Sequence, residues 1–153
     1  MSAIANGYPL PLFERLVENA DASMLGEDAL RQSVARELSR LLNARSRLTM
    51  AAFLQSDGTV TDYGVPDFSE RSLRSGPDRD AIANAIRHAI KLFEPRLANV
   101  TVTFEFPPGR EDHAVLAIHG DMRQGKSVEH VFFELVSGAD GSGAVETRAL
   151  ELD

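Results

Sequence analysis

Two stretches of the chain carry apolar residues at every third or fourth position, the spacing that puts them on one face of an α-helix. The first stretch runs from Asp28 to about Arg45 and the second from Asp78 to Phe93. The two apolar stripes are Leu30, Val34, Leu38, Leu41 and Leu42, and Ile82, Ile86, Ala89, Ile90 and Phe93. Four charged residues of the first stretch fall on the other side and are expected to face solvent: Arg31, Arg36, Glu37 and Arg40. The pattern predicts two long helices, each with one face against a core.

Beyond Leu97 the apolar residues alternate with polar ones, which is the period of a strand with one buried face. This alternation covers Val100 to Phe106, residues 114–118 and residues 131–135. A further run, from Val145 to Leu152, is either an edge strand or a tail. Helices followed by antiparallel strands are typical of an α+β fold. We therefore predict two long helices packed on one face of a small, mainly antiparallel sheet of three to four strands.

The length of 153 residues fits one domain with a substantial core. Hydrophobic residues make up 43% of the chain and charged residues 25%, the balance of an ordinary globular protein. Residues 1–9 contain a glycine and a proline and are expected to be a flexible lead-in. Residues 10–136 are expected to form the single domain. Residues 137–153 are interpreted as a turn followed by an edge strand or a flexible tail.

The formal net charge is −7, which argues against a surface for nucleic acid or for an anionic membrane. The chain has no cysteine, so disulfides and thiolate chemistry are excluded and a reducing compartment is plausible. The N-terminus lacks the pattern of a signal peptide, and no apolar run is long enough to span a bilayer. We expect a cytoplasmic protein that neither binds nucleic acid nor inserts into a membrane.

Residues 120–127, with the sequence GDMRQGKS, match the Walker A pattern of nucleotide-binding P-loops. A working P-loop needs a helix directly after it, because the helix N-terminus helps to bind the phosphates. The residues after Ser127 alternate in the manner of a strand instead. The motif is therefore interpreted as the turn of a β-hairpin, and a P-loop nucleotide binder remains a less favoured alternative.

Other chemical signatures are weak. The four histidines show no compact metal-ligand spacing, and no Gly-x-Ser-x-Gly elbow occurs. A glycosidase needs two carboxylates that flank a cleft, and no two acidic residues are paired by their spacing. We expect no catalytic residue, no metal, no cofactor and no small-molecule substrate.

The second predicted helix ends at Phe93-Glu94-Pro95-Arg96-Leu97. Pro95 lacks an N–H group and disfavours helical dihedral angles at Glu94, so the helix is expected to stop or kink there. A carboxylate at a helix C-terminus opposes the helix dipole, whereas a cation such as Arg96 is favoured. Glu94 is therefore either tolerated in solvent or held by a specific partner.

Three segments in this order resemble a known family. Residues 41–45, LLNAR, end the first helix; residues 63–67, YGVPD, lie in the connecting loop; and residues 93–97, FEPRL, end the second helix. Together they resemble the TssE-like baseplate wedge proteins of type VI secretion systems, a family also labelled lysozyme-like. The resemblance extends over roughly residues 10–136.

The resemblance implies a structural subunit that binds sheath subunits and other baseplate wedge proteins and seeds sheath assembly through a sheet edge and the Glu-Pro-Arg helix end. It implies partner contacts at Glu94, Pro95, Arg96 and Leu97. The competing interpretation is an ion pair inside the chain that positions a loop. Six further residues are interpreted as structural or as a possible interface: Asn43, Arg45, Tyr63, Gly64, Pro66 and Asp67.

Two further alternatives stay open at this point. The same surfaces could belong to an adaptor that binds a regulatory protein. The lysozyme-like label suggests a peptidoglycan hydrolase, for which Glu94 would be the candidate acid. Because Glu94 is tied to a proline at a helix end and has no evident second carboxylate, we predict that the protein is not an enzyme.

Overall fold

The computed structural model describes residues 27–109, 114–137 and 145–150. The predicted lead-in at residues 1–9 and the chain up to residue 26 lie outside the described residues. The helices are α1 (Glu27–Asn43), α2 (Met50–Leu54), a 3₁₀-helix (Val60–Asp62) and α3 (Gly76–Phe93). The strands are β1 (Leu97–Glu105), β2 (Val115–Gln124), β3 (Ser127–Ser137) and β4 (Val145–Leu150).

Helix α3 has defined start and stop signals in its own sequence. The hydroxyl of Ser75 accepts a hydrogen bond from the Asp78 N–H, and Pro77 occupies the first turn, where a missing N–H is harmless. At the other end the Glu94 N–H still donates to the Ile90 carbonyl, but the dihedral angles of Glu94 are no longer helical. The predicted stop before Pro95 is confirmed.

The four strands form one antiparallel sheet in the order β1-β2-β3-β4. One face of its two central strands carries the apolar residues of the core, Leu116, Ile118 and Met122 on β2 and Val131, Phe133 and Leu135 on β3. Helix α3 packs against β1, α1 packs against β4, and the two helices also contact each other. The α+β class and the antiparallel sheet are confirmed.

Residues 120–127 form a tight β-hairpin. Gly120 lies within β2, Gly125 takes a positive φ of 59° in the turn, and Ser127 is the first residue of β3. A strand follows Ser127 where a P-loop requires a helix, so the hairpin interpretation is confirmed.

The charged side of α1 differs from the prediction at two positions. The Arg31 side chain is only 12% exposed and its Nη2 lies 3.1 Å from Glu129 Oε1 on β3. The Glu37 side chain is 21% exposed and meets the loop that contains Tyr63. The expectation that both face solvent is wrong, because β3 and the loop cover positions that helical periodicity alone assigns to the surface.

Candidate functional site

The junction between α3 and β1 holds a buried ion pair. The Glu94 side chain is 1% exposed and the Arg96 side chain 10% exposed. Arg96 donates from Nε to Glu94 Oε1 at 2.8 Å and from Nη2 to Oε2 at 2.9 Å. The Arg96 backbone N–H donates to Oε1 as well, at 3.1 Å. Both carboxylate oxygens are therefore bound by one guanidinium in a bidentate arrangement, which is a strong and directional form of ion pair.

The same guanidinium connects this junction to α1. Arg96 Nη1 donates to the Ser33 hydroxyl at 2.9 Å, and Ser33 is fully buried. We call Glu94, Arg96 and Ser33 the Glu94 corner. Removing one partner of a buried pair leaves the other charge unpaired in a medium that solvates it poorly, which typically destabilises a protein by about 3–5 kcal/mol. The Glu94 corner therefore fastens the start of β1 to both long helices.

The other two residues predicted to contact a partner, Pro95 and Leu97, differ in exposure. Pro95 is exposed, whereas Leu97 is 5% exposed and belongs to the core. The Leu97 N–H donates to the Glu94 carbonyl, which closes a turn around Pro95. Within the element, Pro95 presents the largest surface to solvent.

The loop with the sequence YGVPD packs along the end of α1. The Val65 N–H donates to the Ala44 carbonyl at 3.0 Å, and the Ser46 N–H donates to the Val65 carbonyl at 2.9 Å. Gly64 has a φ of 116°, and a Cβ placed there would lie 2.6 Å from the Ala44 carbonyl oxygen. Only glycine fits such a close approach of two backbone segments. Pro66 is buried directly after this contact.

Tyr63 connects the loop to both long helices. Its hydroxyl donates to Glu37 Oε1 on α1 at 3.0 Å, and its ring meets the Phe93 ring edge-on at a centroid distance of 5.2 Å. Burial, followed by the negative charge of Glu37, raises the pKa of the Tyr63 hydroxyl far above its ordinary value of 10.0. Tyr63 therefore remains a hydrogen-bond donor at any physiological pH.

Asn43, Arg45 and Asp67 make local contacts. The Asn43 amide donates to the Ser39 carbonyl at 2.8 Å, and Arg45 Nη1 donates to the Leu42 carbonyl at 3.0 Å. Both therefore satisfy carbonyl groups in the last turns of α1. Asp67 accepts the Ser69 N–H at 2.9 Å, and this hydrogen bond is the main reason that the pKa of its carboxyl lies below the ordinary value.

The structure thus brings Glu94 and Arg96 into direct contact and places Tyr63 against the preceding residue, Phe93. Two residues of this arrangement were missed by sequence reasoning: Ser33 and Glu37. Ser33 had a detectable signal, since a polar residue beside Leu30 and Val34 lies within the buried side of α1. Glu37 had no such signal in the sequence, because its partner, Tyr63, is 26 residues away.

The chemistry available to Glu94 is narrow. A glycosidase acid must deliver a proton to its substrate, and the carboxylate oxygens of Glu94 are both occupied by Arg96. The described residues contain no group of three or more histidine or acidic side chains that could hold a metal ion. In the same residues, no helix combines the length and the apolar character that crossing a membrane requires.

The model of one protein family, described as baseplate wedge protein gp25, matches residues 28–126. The match begins at the second residue of α1 and ends in the β2–β3 hairpin, so it includes the whole Glu94 corner. A search of curated proteins found no match.

Proposed function

This chain belongs to the family of the baseplate wedge protein gp25, and we propose that it acts in a type VI-like contractile secretion machine. The family consists of structural baseplate subunits, so contacts with other baseplate proteins are implied. In our proposal the chain joins the wedge and provides the surface on which the first sheath subunits assemble.

The edge of β1 supports this proposal most directly. Within the described residues β1 pairs with β2 on one side only, so backbone N–H and C=O groups on its other side are available to a further strand. Thr101, Thr103 and Glu105 are exposed along it. Addition of a partner strand to such an edge gives affinity through main-chain hydrogen bonds. We propose that a sheath subunit adds a strand here.

The Glu-Pro-Arg element supports the same site in two ways. The Glu94–Arg96 pair fixes the first residues of β1 relative to α1 and α3, so the strand edge is rigid before a partner arrives. Rigid preorganisation reduces the conformational entropy that this chain loses when a partner binds. Partner contact in this element is proposed mainly through the exposed Pro95 and the outer side of Arg96, with Glu94 and Leu97 behind them.

The experiment is an affinity purification of the tagged protein from its native cells, with mass spectrometry of the partners. Wild type should bring down wedge and sheath subunits. A Thr101→Lys/Thr103→Lys variant, which places two charges along the β1 edge, should lose sheath subunits and keep wedge subunits. The Glu94→Ala/Arg96→Ala variant should lose sheath as well.

Val60→Lys is the matched control, because Val60 is 93% exposed and lies far from β1 in sequence. Recovery of sheath with the Thr101→Lys/Thr103→Lys variant at the wild-type level would refute the strand-addition site. Absence of wedge and sheath subunits from the wild-type sample, with a regulatory protein in their place, would refute the assembly role.

A further inference from the structure

An apolar pocket of about 350 Å³ opens at the end of the α1–α3 interface that lies away from the Glu94 corner. Its deep wall consists of core residues from both helices, the YGVPD loop and the sheet: Leu42, Val65, Ile82, Ile86, Leu116 and Leu135. Cavities of roughly 150 Å³ lined by such residues already accommodate a benzene ring. The pocket can therefore receive a large apolar side chain.

The charges at the pocket all have one sign. Of the described residues that line it, only Arg45 and Arg71 are charged, although the protein as a whole has a net charge of −7. Arg71 is already paired, since its Nη1 lies 3.1 Å from Asp78 Oδ1. Within the described residues, the Arg45 guanidinium donates one hydrogen bond, to the Leu42 carbonyl, and forms no ion pair. Arg45 is therefore the cation that is available to an anionic occupant.

Exposed apolar surface continues outward from the pocket. Leu73 lines the opening and is 38% exposed, and Phe106 is exposed to the same extent. Arg79 connects the two, because its Nη1 donates to the Leu73 carbonyl and its guanidinium lies 5.4 Å from the centre of the Phe106 ring. Apolar side chains next to an open pocket are a usual feature of protein–protein interfaces.

We propose that this pocket is a docking site for a segment of another baseplate protein, which inserts one large apolar side chain and presents an adjacent carboxylate to Arg45. We call it the Arg45 pocket. The apolar wall recognises the inserted side chain, and Arg45, on which Asp67 acts only at longer range than a direct ion pair, selects a neighbouring aspartate or glutamate. The identity of the occupant as a baseplate protein rests on the proposed function, whereas the binding chemistry rests on the pocket alone.

The test selects ligands from a phage-displayed library of random 12-residue peptides on the isolated full-length chain. Selected peptides are synthesised and their affinities are measured by calorimetry. We expect a consensus of one large apolar residue with Asp or Glu within two positions. Ala114→Phe, which fills the pocket from its lining, should abolish detectable binding. Arg45→Gln should weaken it about tenfold, the effect of losing one hydrogen bond between charged groups.

Two further variants guard against misfolding as an explanation. Leu73→Ser changes only an exposed residue of the opening and should weaken binding severalfold with unchanged thermal stability. Arg47→Gln is the matched control for Arg45→Gln, because Arg47 is exposed and does not line the pocket. It should bind as wild type does.

Several results would overturn the proposal. One is the absence of any consensus, and another is a consensus whose peptides bind Ala114→Phe as well as wild type. Decanoate that binds at the pocket while no peptide is selected would assign it to small amphipathic acids. A dimer that dissociates in Ala114→Phe would assign it to a second copy of the chain. All of these readouts use the isolated protein, so they are independent of whether sheath is recovered from cells.

Discussion

At one end of the space between α1 and α3, the buried carboxylate of Glu94 and the guanidinium of Arg96 bind each other. At the other end, by contrast, arginines border an open apolar pocket. The two regions are built by the same helices. Ser33, in the first half of α1, contacts Arg96, which follows the C-terminal end of α3. Leu42, near the C-terminal end of α1, lies beside Ile82 and Ile86 of α3. The two helices therefore run in opposite directions. Ile82 and Glu94 are separated by about 18 Å along α3 at 1.5 Å per residue.

Residues that hold a strand in place differ in their charge pairing from residues that can receive a partner. In the Glu94 corner the charged groups have partners inside the chain, so a binding partner gains little by competing for them. In the Arg45 pocket an apolar surface and a cation are left for a partner outside the described chain. Substitutions in the two regions should therefore change the free energy of unfolding by very different amounts.

Arg96→Ala should lower the free energy of unfolding by about 3–5 kcal/mol, because Glu94 would remain as a buried carboxylate without its counter-charge. Urea denaturation followed by circular dichroism measures this value. Arg47→Ala is the control, since Arg47 is exposed and its hydrogen bond to the Thr61 hydroxyl is long, at 3.4 Å. A loss below about 1 kcal/mol for Arg96→Ala would mean that the corner behaves as a surface ion pair.

Gly64→Ala should destabilise the protein by about 2–3 kcal/mol, since both its positive φ and the nearby Ala44 carbonyl oppose a side chain. Gly109→Ala isolates the first cause, because Gly109 has a φ of 79° but no atom of the described residues within 4 Å of an added Cβ. The difference between the two urea midpoints measures the close packing of the YGVPD loop on α1. Equal decreases in stability for Gly64→Ala and Gly109→Ala would show that the loop packs loosely on α1.

Ser33→Ala should lower the free energy of unfolding by about 1–2 kcal/mol, because Arg96 loses a hydrogen-bond acceptor that is buried and uncharged. A double-mutant cycle with Arg96→Ala gives the coupling energy directly. Additive effects of the two substitutions would mean that Ser33 is not energetically coupled to Arg96 and does not belong to the Glu94 corner.

Tyr63→Phe should lower the free energy of unfolding by about 1 kcal/mol at neutral pH, where the Tyr63 hydroxyl donates a hydrogen bond to Glu37. The pKa of Tyr63 is raised in the folded protein, so its contribution to stability is complete below the unfolded value of 10.0 and is lost as pH rises beyond it. Melting temperatures of wild type and Tyr63→Phe should therefore converge between pH 10 and pH 12. Parallel curves over this range would contradict the raised pKa.

Leu73→Ser should change the free energy of unfolding by less than about 0.5 kcal/mol, as is usual for exposed positions. Urea denaturation beside Arg96→Ala gives the sharpest form of the comparison. A loss as large as that of Ser33→Ala would mean that Leu73 belongs to the core and is not available to a partner.

The elements that depend on short spacings could be predicted from the sequence. Ser75, Pro77 and Pro95 bound α3, and alternation places β2 and β3 with one face in the core, because capping and side-chain direction are decided within a few residues. The family was also accessible from short segments, since the 41–45, 63–67 and 93–97 motifs lie within the matched range.

The places where these elements meet depend on packing between residues that are distant in sequence. The contact between Arg96 and Ser33, which are 63 residues apart, required the antiparallel placement of α1 and α3. Glu37 is partly buried because the loop that contains Tyr63 covers it. The Arg45 pocket exists because two helices, a loop and a sheet leave a space between them. Burial and cavities are properties of distant surfaces brought together, so no local pattern of residues encodes them.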